Sequence, residues 1–172
     1  MAGDRYARGQ CAGLRFTGPA SPTEFRSISR TVQIRRYNLD DEKAVVALWQ
    51  RCDLVRPWND PNRDIQRKLG VRPDLFLVGI VDGQVVATVM AGYEGHRGWL
   101  NYLAVAPEFQ RRGCGRAIIA EAERLLRKAG CPKINLQIRT SNEGVIEFYR
   151  RLGYAVDDVV SMGKRLEHDD AT

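Results

Sequence analysis

The stretch Gln110–Arg116, with the sequence QRRGCGR, lies between an alternating apolar segment and a long amphipathic segment. The first segment, Gly98–Val105, predicts a strand, and the second, residues 112–129, predicts a helix with one apolar face. A strand, a glycine-containing turn and a helix N-terminus together form an anion site, because backbone N–H groups point outward and the helix dipole favours negative charge. Arg111, Arg112 and Arg116 add positive charge at the same point. The stretch therefore predicts a pyrophosphate site rather than a simple tight turn.

The glycines of this stretch do not fit two common phosphate motifs. Gly113 and Gly115 would let the backbone approach a ligand without a Cβ in the way. A Walker A loop needs G-K-[ST], whereas Cys114 and Arg116 follow the glycines here. A dinucleotide fingerprint needs a third glycine where this chain has Ile118. The spacing alone leaves open which ligand carries the pyrophosphate.

The segments on either side predict one α/β domain over residues 32–167. Asp82-Gly83 is a strong two-residue hairpin signal, and Gly130 stands where a helix C-cap glycine is expected. Alternating segments predict strands, helical periodicity predicts helices, and we expect a single mixed, mostly antiparallel sheet flanked by helices. The predicted strands are 32–37, 75–81, 84–93, 98–105 and 133–139, with one or two closing strands in 154–164; the predicted helices are 41–52, 62–69, 112–129 and 143–152.

Composition and charge restrict the class of protein further. The 172 residues are 44% hydrophobic and 28% charged, and no apolar run approaches the ~20 residues that span a bilayer. The formal net charge is +6, of which residues 1–31 carry +3, so the domain itself is only mildly basic and we expect no nucleic-acid partner. Residues 1–31 predict a flexible extension, read either as an organelle transit peptide or as the product of a misassigned start codon. Residues 168–172 are expected to form a short tail.

The four cysteines are scattered and give no metal motif. Cys11, Cys52, Cys114 and Cys131 include no C-x-x-C pair, and the sequence has only two histidines. A closed zinc site needs closely spaced ligands, so no metal is expected. We therefore expect four reduced thiols and a cytoplasmic location.

Two motifs in order make the sequence resemble a known family. QRRGCGR after a strand is similar to the acyl-CoA pyrophosphate motif of the GCN5-related N-acetyltransferases, the GNAT family. Residues 142–149, followed by Gly153-Tyr154, resemble the family segment N-x-x-A-x-x-[LF]-Y-x-x-x-G-[FY], with Val145 in place of the alanine. The resemblance covers about residues 32–166. Residues 51–61, 92–97 and 163–166 further resemble the small bacterial YpeA-type members.

The resemblance implies transfer of an acetyl group from acetyl-CoA to a primary amine. It assigns the pyrophosphate of acetyl-CoA to the amides of Arg111–Arg116. The pantetheine is assigned to exposed backbone of Leu103 and Val105, since the fourth and fifth strands of this family splay apart and leave unpaired backbone. The Val105 N–H is the family's usual donor to the tetrahedral oxyanion. Asn142 is expected to cap its helix and, as in relatives, to hydrogen-bond the pantetheine arm.

Proton transfer defines the expected catalytic side chains. An alkyl ammonium has a pKa of about 10.4 and must lose a proton before it attacks, while the leaving thiolate needs an acid. Tyr149, neutral at pH 7, is the expected acid. Family members that acetylate proteins carry a glutamate where this chain has Gln137, or near Trp99. With both missing, Glu94 acting through a water is the candidate base.

The acceptor pocket is expected under the loop between the first two helices. The loop contains Arg56, Trp58, Asn59 and Asp60, and its aromatic ring together with charges of both signs suits a small polar amine better than a protein. Three other interpretations remain open: a catalytically silent acyl-CoA-binding module, a protein N-terminal or lysine acetyltransferase, and a nucleic-acid binder that uses the basic loop. The resemblance also leaves a homodimer open, since small relatives are often dimers.

Overall fold

The computed structural model describes residues 31–167 and Asp169, and its core is a five-stranded sheet in the order β1-β2-β3-β4-β5. Strands β1 to β4 pair antiparallel with their neighbours, and β5 pairs parallel with β4. The strands are β1 Gln33–Arg36, β2 Phe76–Val81, β3 Gln84–Tyr93, β4 Gly98–Val105 and β5 Ile134–Leu136. The helices are α1 Glu42–Arg51, α2 Pro61–Leu69, α3 Cys114–Lys128 and α4 Glu143–Arg151, with 3-10 turns at Leu39–Asp41, Pro73–Leu75 and Pro107–Phe109. The predicted mixed sheet flanked by helices is confirmed.

Each face of the sheet is covered by one pair of helices. Because successive strand residues point to opposite faces, Val78 packs with Trp49 of α1 and Ile65 of α2, whereas Leu77 packs with Ile118 of α3. All five side chains are at most 2% exposed. The α1 and α2 layer and the α3 and α4 layer therefore form two separate apolar cores, one on each side of the sheet.

Turns with left-handed backbone fix where the central elements begin and end. Asp82 and Gly83 both have positive φ, 49° and 77°, as the hairpin between β2 and β3 requires. Gly130 directly follows Ala129, the C-cap of α3, and its φ of 81° is the left-handed value expected for a glycine that ends a helix. Helix α3 begins at Cys114 rather than at the predicted 112, because Arg111 and Gly113 have φ 59° and 88° and cannot belong to a right-handed helix.

The predicted closing strands in 154–164 are not present, and the prediction is wrong. Residues 154–167 form no helix or strand. Their contacts with the β5 region are made by side chains, between Lys133 Nζ and Asp157 Oδ2 at 2.5 Å and between Gln137 and Ser161, not by a backbone ladder. Without that ladder their apolar side chains stay 74–91% exposed: Val156, Val159, Val160, Met162 and Leu166.

The two ends of the chain lie largely outside the described residues. The predicted extension 1–31 lies, except for Thr31, outside the described residues, and so does the predicted tail except for Asp169. Asp169 is 6% exposed and contacts α2. Within the described part of the chain, no helix combines the length and the apolar run needed to cross a bilayer.

Candidate active site

The N-terminus of α3 presents free backbone donors at the end of β4. The N-cap is Gly113, which has no capping side chain, and the first turn contains no acidic residue. The first intrahelical bond joins the Ala117 N–H to the Gly113 carbonyl, so the amides of Cys114, Gly115 and Arg116 have no partner within the helix. With the positive end of the dipole of a 15-residue helix, these amides can bind an anion.

The three arginines around this helix end form no ion pair with any residue that the structure describes. Arg111, Arg112 and Arg116 are all exposed. The guanidinium of Arg112 lies 5.5 Å from the centre of the Phe109 ring, a cation–π contact that holds it beside the turn. The positive charge is therefore available to a ligand.

The two positions Gly113 and Gly115 need glycine for different structural reasons. At Gly113, φ is 88° and a Cβ would meet nothing within 4 Å, so the glycine is required by the backbone conformation. At Gly115 a Cβ would lie 3.2 Å from the Phe148 ring and 3.5 Å from Val105. Gly115 thus permits close packing of α3 against α4 and β4, whereas the sequence pattern attributed it to approach of a ligand.

Strands β4 and β5 separate beside this helix end. Their pairing ends at Leu100 opposite Leu136, so β4 continues for five more residues without a partner on that side. The Ala106 N–H donates to the Val86 carbonyl at 2.8 Å, and neighbouring strand residues point their N–H groups to alternate edges. The N–H of Val105 therefore points into the gap between β4 and β5. Leu103, the other residue expected to contact pantetheine, lies two residues before it on β4.

The far end of β4 is anchored through one carbonyl. The Val105 oxygen accepts hydrogen bonds from Gln110 Nε2 at 3.1 Å and from the Cys52 thiol at 3.5 Å. Burial raises the pKa of Cys52, so this thiol stays protonated and can donate. The carbonyl side of Val105 is thus held by the turn and by α1, while its N–H stays free.

Helix α4 carries Tyr149, begins after its N-cap Asn142, and packs beside the α3 N-terminus through Phe148. Tyr149 is 5% exposed and contacts the rings of Phe148 and Tyr154 edge-on, with centroids 5.1 and 5.2 Å away. Burial raises the pKa of Tyr149, so its hydroxyl is neutral at pH 7. Asn142 caps α4 as expected, since its Oδ1 accepts from the Val145 N–H at 3.3 Å. Phe148 links the helix to the turn through its contact with Gly115.

The residues expected around the acceptor lie on the α1 and α2 side of the sheet. Arg56 forms a two-bond ion pair with Asp53, with nitrogen to oxygen distances of 2.9 and 3.0 Å. Trp58 is 48% exposed and is not part of the core. Asn59 donates to Asp64 Oδ2 at 2.9 Å and accepts from Arg165 at 3.2 Å. Arg165 also donates to the Trp58 carbonyl, so residues near the C-terminus cover this loop.

The structure does not bring Glu94 to the same place. Glu94 follows β3 at the Tyr93–Gly98 end of the hairpin, and seven strand residues, about 23 Å, separate that end from Val105. Its Oε1 accepts from the Arg97 N–H at 2.7 Å, and backbone hydrogen bonds lower the pKa of Glu94. A base needs the opposite shift, so this placement does not favour Glu94 as the base.

Tyr102 and Asp64 meet between β4 and α2, and no sequence motif indicates either residue. The Tyr102 hydroxyl donates to Asp64 Oδ2 at 2.5 Å, although the two residues are 38 positions apart. The register shift that places Tyr102 there depends on β3 and has no local sequence signal. Among the described residues, no group of histidine, cysteine, aspartate or glutamate side chains could hold a metal ion.

A mixed sheet whose fourth and fifth strands part beside an unneutralised helix N-terminus is the fold of the CoA-dependent N-acyltransferases. The sequence profile described as the Acetyltransferase (GNAT) family matches residues 43–154. The chain belongs to this acetyltransferase family. Acetyltransferases of Pectobacterium atrosepticum and Sodalis glossinidius are 51% and 50% identical to it over 138 and 139 residues, which is 80% of this chain and 98% of each relative.

Solved structures of the same fold are more distant in sequence. The aminoglycoside acetyltransferase AAC(6')-Iy, solved with the bisubstrate analogue CoA-S-monomethyl-acetylneamine, has a TM-score of 0.66 at 20% identity and covers 78% of this chain and 99% of its own. The ribosomal-protein-S18-alanine N-acetyltransferase from Escherichia coli has a TM-score of 0.60 at 22% identity, with coverage of 72% and 77%. At these identities the similarity establishes the fold.

Proposed function

We propose that this protein transfers the acetyl group of acetyl-CoA to a primary amine, and that the amine is a small polar molecule rather than a protein. The observation that carries the proposal is the gap between β4 and β5. The Val105 N–H points into this gap, Val105 lies beside Gly115 of α3, and the three arginines at the start of α3 form no ion pair with a described residue. A pyrophosphate at the helix end and a thioester beside Val105 would lie along one continuous strip of backbone donors.

The cofactor side of the site divides into three parts. The amides of Arg111–Arg116, with their arginine side chains, would bind the pyrophosphate of acetyl-CoA. The free backbone of Leu103 and Val105 would hydrogen-bond the pantetheine arm as an added strand does. Asn142, at the start of α4, would contact the same arm while its Oδ1 caps the helix. That the related fold of AAC(6')-Iy was solved with a CoA conjugate supports this assignment.

The transfer itself needs an oxyanion donor and an acid. The amine nitrogen attacks the thioester carbon, and the carbonyl oxygen becomes an oxyanion that the Val105 N–H can bind. When the intermediate collapses, the C–S bond breaks, the acetyl group stays on nitrogen, and the CoA sulfur leaves as a thiolate. The ammonium form of the amine loses one proton to solvent before the attack. Tyr149, which is neutral at pH 7, would then donate a proton to the sulfur, and the second proton that the nitrogen releases would pass through water to the tyrosinate and restore its hydroxyl.

Two features favour a small acceptor. Gln137 stands where the protein-acetylating relatives carry a glutamate, and its side chain hydrogen-bonds Ser161, so it is not free to act on a substrate. The loop with Arg56, Trp58 and Asn59 is covered by Arg165, which narrows the acceptor side in a way that suits a compact molecule.

The test follows isotope-labelled acetyl-CoA in a bacterial extract separated by size, with the wild-type protein and Tyr149→Phe in parallel. We expect label in one small amine with the wild type and much less with the variant. Label in protein would contradict the small-acceptor proposal and favour N-terminal or lysine acetylation. Binding of acetyl-CoA without any labelled product would contradict the enzymatic proposal and favour a silent acyl-CoA-binding module.

A further inference from the structure

The thiol of Cys52 lies on the same edge of β4 as the proposed oxyanion donor. The Ala106 N–H donates to β3, so the N–H and the carbonyl of Val105 both point to the opposite edge, which borders the gap. Cys52 Sγ lies 3.5 Å from that carbonyl oxygen and donates to it. The thiol therefore reaches the gap from the end of α1, in the helix layer that carries the expected acceptor contacts.

Cys52 stands where α1 ends and the loop to α2 begins. It is the C-cap of α1, and its own N–H donates to the Leu48 carbonyl at 3.0 Å. The next residue, Asp53, has φ 54° and forms the ion pair with Arg56 of the same loop. The hydrogen bond of the thiol thus joins the first residue of the expected acceptor loop to Val105, the expected oxyanion donor.

A second contact ties the end of α1 to the turn that follows β4. Arg51 forms an ion pair with Glu108 at 2.6 Å, and both side chains are 52% exposed, so this pair contributes little by itself. Cys52 is half-buried and packs, like Val105, against the apolar core under α1 and α2. The thiol is therefore the better shielded of the two links between this helix end and β4.

The Val105 carbonyl needs donors because it lies beside the proposed oxyanion position. A carbonyl oxygen carries partial negative charge and would repel the charge that develops at the neighbouring N–H. The oxygen has two lone pairs, and Cys52 Sγ and Gln110 Nε2, the latter at 3.1 Å, supply a donor for each. Burial raises the pKa of the Cys52 thiol, so it remains a neutral donor and adds no negative charge of its own.

We propose that Cys52 is a positioning residue for acetyl transfer, because its thiol orients and satisfies the Val105 carbonyl beside the oxyanion donor. This inference rests on the proposed acetyltransferase function. Cys52 exchanges no proton with the substrate and acts only through Val105. Its effect should therefore appear in the rate constant of acetyl transfer and not in the binding of acetyl-CoA, since the oxyanion exists only during the reaction.

The test compares Cys52→Ala, Cys52→Ser and Cys52→Val with the wild type. Alanine removes the donor, serine keeps a donor, and valine keeps apolar volume without a donor. The rate constant is measured in single turnovers with labelled acetyl-CoA and the amine found in the extract experiment. We expect the alanine and valine variants to transfer acetyl about 3- to 10-fold more slowly, because one modest hydrogen bond is lost. Serine should stay within about twofold of the wild type, because its hydroxyl can also donate to the carbonyl.

Two further measurements separate positioning from packing. The Kd of acetyl-CoA should change less than about twofold in all three variants, because the cofactor is bound before the oxyanion forms. The carbonyl NMR resonance of Val105 reports the hydrogen bond without turnover. It should move upfield in Cys52→Ala and Cys52→Val, since hydrogen bonding to a carbonyl moves its resonance downfield. Thermal unfolding would show any loss of packing separately.

The control variant is Cys131→Ala. Cys131 is also half-buried, and its thiol donates to the Lys133 carbonyl at 3.2 Å, but Lys133 bonds Gly98 at the start of β4, whereas Val105 is the last residue of that strand. This variant should leave the rate constant and the Val105 resonance unchanged. Equal rate constants for the serine and valine variants of Cys52 would overturn the inference, because the side chain would then only fill space. If the wild type acetylates no amine at all, the proposed function fails and this inference fails with it.

Discussion

Tyr149 is buried on α4, and its neighbour Phe148 contacts the start of α3 at Gly115, so we expect the Tyr149 hydroxyl to act near the gap between β4 and β5. We predict that Tyr149→Phe lowers kcat about 100-fold or more, because the CoA thiolate loses its proton donor. The change removes only the hydroxyl, which forms no hydrogen bond with another described residue, so the packing against Phe148 and Tyr154 should persist. Steady-state kinetics would measure kcat. Titration with acetyl-CoA would measure cofactor binding, and thermal unfolding would show whether the packing persists.

The neighbouring Tyr154 provides the matched control for that variant. Its ring lies 5.2 Å from that of Tyr149, but its hydroxyl donates to Glu123 Oε1 at 2.8 Å and points toward α3. Tyr154→Phe should leave kcat within a few-fold of the wild type. Equal losses in both variants would show that the effect comes from packing of this aromatic cluster, and Tyr149 would no longer be the acid.

Gly113 permits a prediction about stability that separates backbone strain from steric contact. Gly113→Ala should lower the free energy of unfolding by about 1–2 kcal/mol, because alanine would have to adopt φ 88°. Gly113→Asn should restore part of the loss, since asparagine tolerates left-handed backbone better. Urea denaturation would measure both. No difference between the two substitutions would contradict the strain argument, because a Cβ at Gly113 has open space in either case.

The N-terminus of α3 predicts how cofactor binding should depend on salt. Replacing Arg111, Arg112 and Arg116 together by glutamine should raise the Kd of acetyl-CoA about 10-fold, since exposed ion contacts contribute about 0.2–1 kcal/mol each. The backbone amides and the helix dipole remain, so binding should weaken rather than disappear. The dependence of the Kd on salt should become flatter at the same time, because screening acts on the removed charges.

Arg124→Gln serves as the control for this triple variant. Arg124 is an exposed arginine of the same helix, but it is paired with Glu121 at 2.8 Å and lies more than two turns from the N-terminus. Its replacement should change neither the Kd nor the slope against salt. A triple variant with wild-type affinity at low salt would mean that the arginines do not contact the pyrophosphate.

The elements that the sequence predicts correctly are those with a strong local period. All four helices and all five main strands are present, and the bounds of β3 and β4 match residue for residue. The closing strands in 154–164 were predicted from the same kind of pattern, yet strand formation also needs a backbone partner. Strand β5 has only three residues, and residues beyond Tyr154 contact its flanking residues Lys133 and Gln137 through side chains. The alternating sequence pattern alone could not show that residues 154–164 lack a backbone partner strand.

The site also contains features that the local sequence predicts and features that it does not. The turn at Gly113 and the cap at Asn142 were predictable, because each depends on residues a few positions apart. The contact between Tyr102 and Asp64 was not, because it depends on the offset of β4 against β3 and on where α2 packs. Glu94 lies at the end of the hairpin away from Val105, a placement that a sequence cannot give because it does not tell which end of a hairpin faces the gap.

The two apolar cores give the two halves of the proposed site different partners. The layer of α3 and α4 carries the expected acetyl-CoA contacts, and the layer of α1 and α2 carries the expected acceptor contacts. Strand β4 contacts both layers, since the Tyr102 ring stacks on Trp49 of α1 while the free edge at Val105 faces the gap. A single strand therefore connects the expected acceptor contacts to the expected acetyl-CoA contacts.

Acid stability of the protein should depend on the ion pair that joins the C-terminal residues to α2. Asp169 is buried and accepts from both terminal nitrogens of Arg67, at 2.9 and 2.6 Å, and from the Asp60 N–H at 3.1 Å. These hydrogen bonds, above all those from Arg67, hold the pKa of Asp169 well below its usual value. Asp41 is a second case, since hydrogen bonds from Arg35 lower its pKa as well.

The sign of the effect follows from which state binds protons more readily. An unfolded aspartate has a pKa of about 3.9, so above that pH the depressed folded value stabilises the protein, and the stabilisation is lost as the pH falls. We expect the free energy of unfolding to be nearly constant from pH 7 to about pH 5 and to fall from there to pH 2.

Asp169→Asn should lower the free energy of unfolding at pH 7 and make its decrease at acid pH less steep. Urea denaturation at a series of pH values would measure both, with Asp40→Asn as the control, because Asp40 is exposed and forms no ion pair with another described residue. An unchanged slope in Asp169→Asn would show that the contact with Arg67 does not hold the C-terminal residues against α2 in solution.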